Sequence, residues 1–372
     1  MAAPGSLFKA GGGGQGPAIA KYALIAVALG VAIWGAVELS GSSGPSSMMG
    51  GLVASSGGSG ACRAQPESYK IVQLPGPSGE LQLLAMEQAV DYVKVGGRGN
   101  LGDDLPKFYG KNLCSVNGTK GCEGLVLDVG AFLGTHSLYL ASLGYEVHAF
   151  EIQSTAADLL RCSAAANKLD NLHVTSEGIS DENGVECMLA MWAGPAETQM
   201  VPKHLSENAS TTGCTYPEWT KVPVVTLDHY WNAVLKKRQV LFIKIDVEGH
   251  EDLVLQGGKE MFAAAPPPFM LVEYNHNVLA QKGIDFGAFL QRIFDNGYHV
   301  YDCQMQEMVA PGEFGISVLT STYAHKYGMT DLLLIQKDTF LADYKDKGAY
   351  VKIPCGQDES LYKQPVVGSR TL

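Results

Sequence analysis

The chain has 372 residues, which is enough for one large α/β domain with appendages or for two domains at most. Its hydrophobic content of 46% and charged content of 17% suit a folded protein with an added apolar segment. The net charge of −11 argues against nucleic acid as a partner, because phosphate backbones are bound by basic surfaces. The 8 cysteines form no CxxC motif and no Cys/His cluster with zinc spacing, so we predict no metal site.

An apolar segment near the N-terminus predicts a single membrane-spanning helix over residues 22–39. Lys9 and Lys21 precede this segment, and no basic residue follows it until Arg63. The positive-inside rule therefore keeps the N-terminal tail, residues 1–21, in the cytosol and places the rest of the chain across the membrane. A cleaved signal peptide, whose apolar core is typically about 7–15 residues, is the alternative interpretation.

Two regions separate this segment from the main domain. The Gly/Ser-rich stretch 40–64 can scarcely build a core and is predicted to be a flexible stem. Residues 65–123 are of mixed composition, and residues 80–95 within them are predicted to be helical. We expect residues 65–123 to form a cap on the N-terminal side of the domain, where it could contribute to a substrate pocket.

Two glycosylation sequons give evidence about the cellular compartment of the main domain. They begin at Asn117 and Asn208, and Cys114 and Cys122 could close a disulfide loop around the first of them. Together with the short apolar span, they favour a secretory-pathway membrane such as that of the Golgi, with the main domain in the lumen.

The main domain, predicted over residues 124–340, alternates apolar strands with amphipathic helices, and residues 341–372 form a polar tail. Strands are predicted at 125–127, in the run before Glu151, and at 171–176, 185–192, 240–245, 269–275, 298–303 and 331–336. Helices are predicted through 137–143, at 154–167, from near His250, and at 286–296. This alternation predicts a predominantly parallel sheet covered by helices on both faces.

Four of the predicted strands end at an acidic residue. These residues are Asp128, Glu151, Asp246 and Glu273. The carboxyl ends of parallel strands meet at one edge, where open α/β sheets bind their ligands. We therefore expect the four carboxylates to border one crevice.

The stretch from Gly124 to Glu151 indicates which ligand the crevice holds. A strand, a glycine turn, a helix and a second strand that ends in an acid form the βαβ unit that binds adenosine-bearing cofactors. The turn reads DxGxxxG from Asp128 through Gly130 to Gly134 and lacks the GxG of dinucleotide sites. A carboxylate there would repel a pyrophosphate but attract the ammonium and sulfonium groups of S-adenosylmethionine. Glu151 lies near the spacing of roughly 20 residues expected for an acid that accepts both ribose hydroxyls.

The chain resembles the FkbM family of S-adenosylmethionine-dependent methyltransferases in four motifs that occur in the same order. They are LDVGAFLGTHSLYLASLGYEVHAFE, GISDENG, VPVVTLDHYW and FIKIDVEGHEDLVLQGG, within about residues 124–275. The resemblance implies a Rossmann-like class I methyltransferase sheet of seven mostly parallel strands, the last one antiparallel. It also implies O-methylation of a hydroxyl group on a sugar, a glycan or a small metabolite.

The resemblance implies roles for individual residues as well. The residues it places at the cofactor are Asp128, Gly130 and Gly134 at the methionine moiety, Glu151 at the ribose, Ser180 and Asp181 near the adenine, and Asp246 near the reacting methyl group. The anchor, the stem and the cap fall outside the resemblance, so their roles rest on composition alone.

A hydroxyl acceptor benefits from a general base, and the sequence offers several candidates. Histidine titrates near neutral pH, so His250 suits this role, but it could equally begin the next helix as its cap. Asp246 and Glu273 are the other two predicted catalytic residues. Glu248 and Glu251 could simply favour the N-terminus of that helix through its dipole.

Four further polar residues lie beside these motifs. Asn275 and His276 follow a strand and are candidates for contacts with the acceptor. Asp228 and His229 are more typical of residues that stabilise a turn.

Two other functions stay open on the sequence. A non-catalytic adenosyl-binding or scaffold protein that keeps this fold would retain the same glycine turn and Glu151. A nicotinamide oxidoreductase would share the βαβ unit, but the missing GxG disfavours it.

Overall fold

The computed structural model describes residues 62, 69–91, 93, 109, 124–189, 199–201, 214, 219–303 and 307–337, all within the compact unit Ala54–Leu372. The predicted cytosolic tail, membrane helix, C-terminal tail and both sequons lie outside the described residues, as does nearly all of the stem. Within the described ranges, no helix has both the length and the apolarity to span a membrane.

Strands and helices alternate over residues 125–175 and 219–302, as expected, whereas the described part of residues 178–225 contains strands only. The strands are β1 (Lys70–Gly76), β2 (Gly79–Ala85), β3 (Leu125–Val129), β4 (Glu146–Phe150), β5 (Leu172–Thr175), β6 (Gly178–Ile179), β7 (Gly184–Leu189), β8 (Gln199–Met200), β9 (Trp219–Val225), β10 (Val240–Ile245), β11 (Phe269–Asn275), β12 (Tyr298–Asp302), β13 (Glu307–Val309) and β14 (Met329–Gln336). The α-helices are α1 (Thr135–Leu143), α2 (Ser154–Ala166), α3 (Leu227–Ala233), α4 (Glu251–Gln256), α5 (Lys259–Ala264), α6 (His276–Gln281), α7 (Phe286–Asp295) and α8 (Glu313–Thr322).

The central sheet has 8 described strands in the order β13-β12-β14-β11-β10-β3-β4-β5. Strands β11, β10, β3, β4 and β5 are parallel, whereas β14 is antiparallel to both of its neighbours. The predicted mostly parallel sheet with an antiparallel last strand is therefore confirmed. The predicted count of seven strands is wrong, because the short edge strand β13 pairs with β12 and adds an eighth.

Both faces of the sheet are apolar, which explains why its central strands are continuous hydrophobic runs in the sequence. Every residue of β3 and of β10 is buried. Val126 belongs to a core that includes residues of α1, α2 and the β1–β2 hairpin. Its neighbours Leu125 and Leu127 point the other way, into a core that includes residues of α3, α4, α5 and α7. The predicted cover on both faces is thus confirmed.

A second sheet of four strands, in the order β6-β9-β7-β8, follows β5. Strand β7 matches the predicted strand at 185–192 in its described part. Strands β8 and β9 are missed by the sequence analysis, which predicts no strand between residues 192 and 240. A disulfide joins Cys187 in β7 to Cys214 in this region.

The cap segment contains a hairpin where the sequence predicts a helix over residues 80–95. Strands β1 and β2 pair antiparallel from Lys70 opposite Ala85 to Gly76 opposite Gly79. A single turn of 3₁₀ helix, Glu87–Ala89, follows. The helix prediction is wrong at β2 because strand pairing overrides the helical preference of its leucine, glutamine and glutamate residues.

The hairpin is fixed to α2 by side chains near the end of that helix. The Asn167 amide accepts a hydrogen bond from the Gln82 N–H at 2.8 Å and donates one to the Gln82 carbonyl oxygen at 2.6 Å. Ser163 Oγ accepts from the Leu84 N–H at 2.8 Å. A disulfide between Cys62 and Cys162 adds a covalent link to the same helix. The predicted loop closed by the other cysteine pair, residues 114 and 122, lies outside the described residues.

Candidate active site

A pocket opens at the carboxyl ends of β3, β4 and β10. The chain passes from β3 to β4 and β5 on one side, and later enters β10 and β11 on the other, so the strand order reverses here. Such a reversal is where open α/β sheets bind their ligands. The described lining comprises residues 129–132, 135, 136, 150–153, 177–179, 200, 244, 246–248 and 250.

The glycine turn after β3 forms the floor of this pocket and is fixed to two neighbouring strands. The N–H groups of Gly130 and Ala131 both donate to the Phe150 carbonyl oxygen, at 3.0 and 2.9 Å. Gly130 has a φ of 82°, and a Cβ at this position would lie 1.8 Å from the Asp246 carbonyl oxygen. Only glycine satisfies both the left-handed conformation and this close approach.

Glu151, directly after β4, presents a carboxylate to the pocket. Its oxygens accept hydrogen bonds from the backbone N–H groups of Phe132 and Gln153, each at 2.7 Å. Phe132 adopts a left-handed φ of 48°, which is uncommon for an aromatic residue. Burial raises the pKa of Glu151 to about 7, although the two backbone hydrogen bonds oppose this shift. Each carboxylate oxygen can accept a further hydrogen bond, so the group can bind a hydroxyl of a ligand.

Asp128 lies just behind the pocket and is absent from its described lining. Ser137 Oγ donates to Asp128 Oδ2 at 2.5 Å, whereas Oδ1 is buried and has no hydrogen-bond partner among the described residues. Burial raises the pKa of Asp128, while the Lys244 ammonium lowers it. The sequence places this carboxylate against the cofactor. In the structure the Asp128 side chain is buried and does not belong to the described lining.

Lys244 is a site residue that the sequence analysis does not single out. It is 6% exposed, lines the pocket, and its Nζ lies 2.9 Å from Asp246 Oδ2. Burial lowers the pKa of Lys244, but the attraction of Asp246 and Asp128 outweighs burial and leaves the pKa above its ordinary value. Lys244 lies near the end of β10, and Asp246 directly follows that strand, two residues further on. A lysine inside an apolar run is the signal that could have identified it.

His250 precedes α4 and lines the pocket, which bears on its two predicted roles. Within the described part of the chain, its side chain makes no capping hydrogen bond to α4, so capping does not account for it. The imidazole Nε2 lies 3.0 Å from Ser180 Oγ and 3.4 Å from Glu186 Oε2. The loop before the helix is held by Glu251 instead, whose Oε1 accepts from the N–H groups of Val247 and Gly249.

Glu273, near the end of β11, lies next to the pocket without forming part of its described lining. It is 7% exposed, and its Oε2 has no hydrogen-bond partner among the described residues. Carboxylate oxygens of Asp246, Glu248 and Glu273 all lie within 4.8 Å of one another. Burial, followed by repulsion from Asp246, Glu251 and Glu248, raises the pKa of Glu273 well above its ordinary value. Three acidic groups therefore meet at the edge of the pocket.

Besides Asp128, three predicted cofactor residues lie outside the described lining. Gly134 has a φ of 84°, and a Cβ there would lie 2.0 Å from Leu160 Cδ1, so this glycine allows α1 to pack on α2. Ser180 and Asp181 directly follow the lining strand β6. Ser180 Oγ donates to Glu186 Oε1 at 2.6 Å and lies 3.0 Å from His250 Nε2. Of the predicted site residues, the pocket brings together Gly130, Glu151, Asp246 and His250.

Two of the remaining polar candidates, Asp228 and Asn275, have structural roles. The Asp228 carboxylate accepts from the N–H groups of Glu260 and Met261, both at 2.9 Å, and so caps α5. The Asn275 side chain accepts from the Val278 N–H at 3.3 Å and caps α6. The sequence-based interpretation of Asp228 as a stabilising residue agrees with these contacts.

Comparison with known families identifies the domain. Residues 128–300 match the family model described as the methyltransferase FkbM domain. Residues 128–300 therefore form an FkbM-family methyltransferase domain, and this family is S-adenosylmethionine-dependent. Comparison with curated protein sequences gives no match.

Solved structures of several methyltransferases are similar to this chain at low identity. An rRNA methylase from Streptococcus thermophilus is 10% identical over 62% of this chain and 93% of its own, with a TM-score of 0.29. A TehB-like methyltransferase from Corynebacterium glutamicum is 12% identical over 66% and 97%, with a TM-score of 0.31. Magnesium protoporphyrin IX methyltransferase from Synechocystis is 13% identical over 66% and 94%, with a TM-score of 0.29. At these scores the likenesses carry no argument about function.

The residues around the pocket fit S-adenosylmethionine. The Glu151 carboxylate is fixed by two backbone N–H groups and faces the pocket, where it would accept the ribose hydroxyls. At this end of the pocket the carboxyl groups of Asp128, Asp246 and Glu248 outnumber the Lys244 ammonium. Such a surplus of acidic groups suits a cationic ligand.

Proposed function

We propose that this FkbM-family methyltransferase transfers a methyl group to a hydroxyl group of a sugar, a glycan or a small metabolite. The observation that carries the proposal is that one pocket joins the Glu151 carboxylate to the edge formed by Asp246 and His250. Glu151 can hold the donor through its ribose hydroxyls. Asp246 and His250 offer acid–base groups to an acceptor that approaches from the open side of the pocket.

In such a reaction the protein would position the two reactants and polarise the acceptor hydroxyl group. S-adenosylmethionine, when bound, supplies a methyl group on a positively charged sulfur. Glu151 would orient the donor from one end of the pocket, and the backbone of the Gly130 turn would allow its close approach. Holding both reactants in line can supply about 7–11 kcal/mol of the barrier reduction.

His250 is the general base that the geometry favours. It lines the pocket, and the carboxylate of Glu186 lies 3.4 Å from its Nε2. A carboxylate beside an imidazole fixes its orientation and stabilises the imidazolium that forms when the ring takes a proton. Asp246 is the weaker candidate, because its Oδ2 is engaged by the Lys244 ammonium.

We further propose that the protein is a single-pass membrane protein whose catalytic domain faces the lumen of the secretory pathway, for example in the Golgi. The described disulfides, Cys62–Cys162 and Cys187–Cys214, support this, because disulfides persist in oxidising compartments. The apolar segment 22–39 and the sequons at Asn117 and Asn208 support it from the sequence.

The test is transfer of an isotope-labelled methyl group from S-adenosylmethionine to a panel of glycans and hydroxylated metabolites by the full-length protein. We expect at least one hydroxyl acceptor to be labelled, and His250→Gln to lower kcat by about 100-fold or more while leaving donor binding intact. His229→Gln is the matched control, because His229 is exposed and absent from the described lining. Donor binding without transfer to any hydroxyl acceptor, or labelling confined to nitrogen or carbon, would contradict the proposal.

A further inference from the structure

We propose that Asp246, Glu248 and Glu273 bind a hard divalent cation, of the Mg²⁺ or Mn²⁺ class, at the edge of the methyl-transfer pocket. The role assigned to this cation, orienting the acceptor hydroxyl, rests on the proposed function. The binding itself does not, because it follows from the carboxylates alone.

The geometry of the three carboxylates suits such an ion. One oxygen from each lies within 4.8 Å of the other two. Oxygens that coordinate one ion at 2.0–2.1 Å are separated by about 3 Å when adjacent and about 4 Å when opposite. Small side-chain rotations would therefore bring the three oxygens to ligand positions. An all-oxygen set selects Mg²⁺, Ca²⁺ or Mn²⁺ rather than zinc or copper.

Glu273 supplies an independent reason to expect a ligand. Its side chain is 7% exposed, and its Oε2 lacks a hydrogen-bond partner among the described residues. A buried carboxylate oxygen without a partner is costly, because it has lost its water without gaining a donor. Ionised carboxylates only accept hydrogen bonds, so Asp246 and Glu248 cannot supply the missing donor to Glu273, whereas a cation could bind one oxygen from each of the three groups.

The charges around the cluster point the same way. The acidic groups that act on Glu273 are Asp246, Glu251, Glu248 and Asp331. Two lysines lie among these groups: Lys244 is paired with Asp246, and Lys282 Nζ donates to the Glu248 carbonyl oxygen at 2.6 Å. Five carboxyl groups, with Glu273 included, thus face two ammonium groups. A doubly charged ion would offset the mutual repulsion of these carboxyl groups.

The loop that carries Glu248 is held in place before any ligand arrives. Glu248 and Gly249 both have left-handed φ values, of 54° and 84°. Glu251 Oε1 accepts from the N–H groups of Val247 and Gly249, at 3.0 and 3.1 Å, and Lys282 holds the Glu248 carbonyl. Uncommon backbone conformations persist where the surroundings over-determine them, and they cluster at binding sites.

The position of the site gives it a role. Asp246 and Glu248 line the pocket, whereas Glu273 lies behind them, so an ion held by all three would face the pocket on its open side. A hydroxyl group bound to such an ion loses its proton more readily, and the proton would pass to His250. The new O–CH₃ bond would form as the S–CH₃ bond of the donor breaks.

The test is a Mn²⁺ titration of the full-length protein, followed by the EPR signal of the free ion. We expect one saturable site that Mg²⁺ competes for, with affinity lowered about tenfold or more in Glu273→Gln and in Glu248→Gln. Asp331→Asn is the matched control, because it removes a neighbouring negative charge from outside the three-carboxylate cluster. It should change the affinity by no more than about threefold.

Three outcomes would overturn the proposal: no saturable Mn²⁺ binding, wild-type affinity in both glutamine variants, or an equal loss in Asp331→Asn, which would indicate general electrostatic attraction. The same preparations are titrated with S-adenosylhomocysteine. If that ligand binds and Mn²⁺ does not, the cation proposal alone fails. If that ligand does not bind, the proposed function fails whatever Mn²⁺ does.

Discussion

Glu151 illustrates how burial sets the charge of a single carboxyl group. Its pKa of about 7 lies above the ordinary 4.5, since the loss of water outweighs the two backbone hydrogen bonds. The folded protein therefore retains a proton that the unfolded chain has released between these two values. Over this pH window the contribution of Glu151 to the free energy of unfolding falls as the pH rises. Binding that requires the carboxylate shows the opposite trend and strengthens with pH.

We predict that S-adenosylmethionine binds more tightly at about pH 8 than at about pH 6, by up to about tenfold per pH unit below the pKa of Glu151. Equilibrium dialysis with labelled donor measures this. Glu151→Gln should bind weakly at every pH and lose the pH dependence. Glu177→Gln, which alters another carboxylate of the lining, should keep the pH dependence. If donor binding in Glu151→Gln still depended on pH, the pH dependence would have to come from another titrating group.

Gly130 supports a prediction about the turn itself. Gly130→Ala places a methyl group against the Asp246 carbonyl at a left-handed φ, and we expect it to lower the free energy of unfolding by at least about 2 kcal/mol. Gly283→Ala is the control, since its φ of 70° is similar but no atom lies within 4 Å of its Cβ. It should cost about 1 kcal/mol. Chemical denaturation measures both, and equal losses would show that the close approach contributes nothing.

At the level of single residues, the sequence predicts the site only where the signal is local. Gly130 and Glu151 belong to one continuous βαβ pattern, and both line the pocket. Lys244 is missed because its role as a site residue depends on its contact with the adjacent strand, where Asp128 lies opposite it. That pairing is not visible in the local sequence. The expectation of no metal site rests on Cys/His spacing. It does not consider carboxylates that β10 and β11 bring together.

Secondary-structure elements, too, are predicted correctly only where their sequence pattern is local. The unit β3–α1–β4 is predicted correctly because the apolar runs, the glycines and the helix period all lie within one stretch of sequence. The β1–β2 hairpin is missed because its leucines also fit a helix, and strand pairing decides between the two. Strand β13 is missed for a related reason, since three residues give no reliable pattern.

The docking of the hairpin on α2 can be tested through Ser163. Ser163→Ala removes the acceptor of the Leu84 N–H, and we expect a loss of about 1–3 kcal/mol in the free energy of unfolding. Ser142→Ala is the control, because Ser142 Oγ donates to the Tyr139 carbonyl within its own helix. It should change stability by less than about 0.5 kcal/mol. Thermal unfolding of the two variants measures the difference, and equal values would argue against docking through this bond.

On the scale of the whole molecule, the fold collects groups that are distant in the sequence. Glu151 and Asp246 follow β4 and β10, whereas Glu273 lies near the end of β11. The parallel directions of these strands bring their carboxyl ends to one edge. The sequence predicts this meeting from strand order alone. It does not predict which carboxylates face the pocket, because that depends on the packing of each turn.

The proposed topology makes a prediction for the complete chain in cells. If the domain is lumenal, glycosidase treatment should increase the electrophoretic mobility of the full-length protein, because Asn117 and Asn208 would carry glycans. Asn117→Gln combined with Asn208→Gln should remove that shift without loss of expression. Unchanged mobility of the wild-type protein would remove the support that these sequons give to a lumenal domain.

The central claim is that the pocket bordered by Gly130, Glu151 and Asp246 binds S-adenosylmethionine. Calorimetric titration of the full-length protein tests it most directly. We predict one saturable site, with affinity weakened at least about tenfold by Asp128→Ala and by Glu151→Ala, in variants that unfold as cooperatively as the wild type. The absence of saturable binding in the wild-type protein, or wild-type affinity in both variants, would contradict the claim.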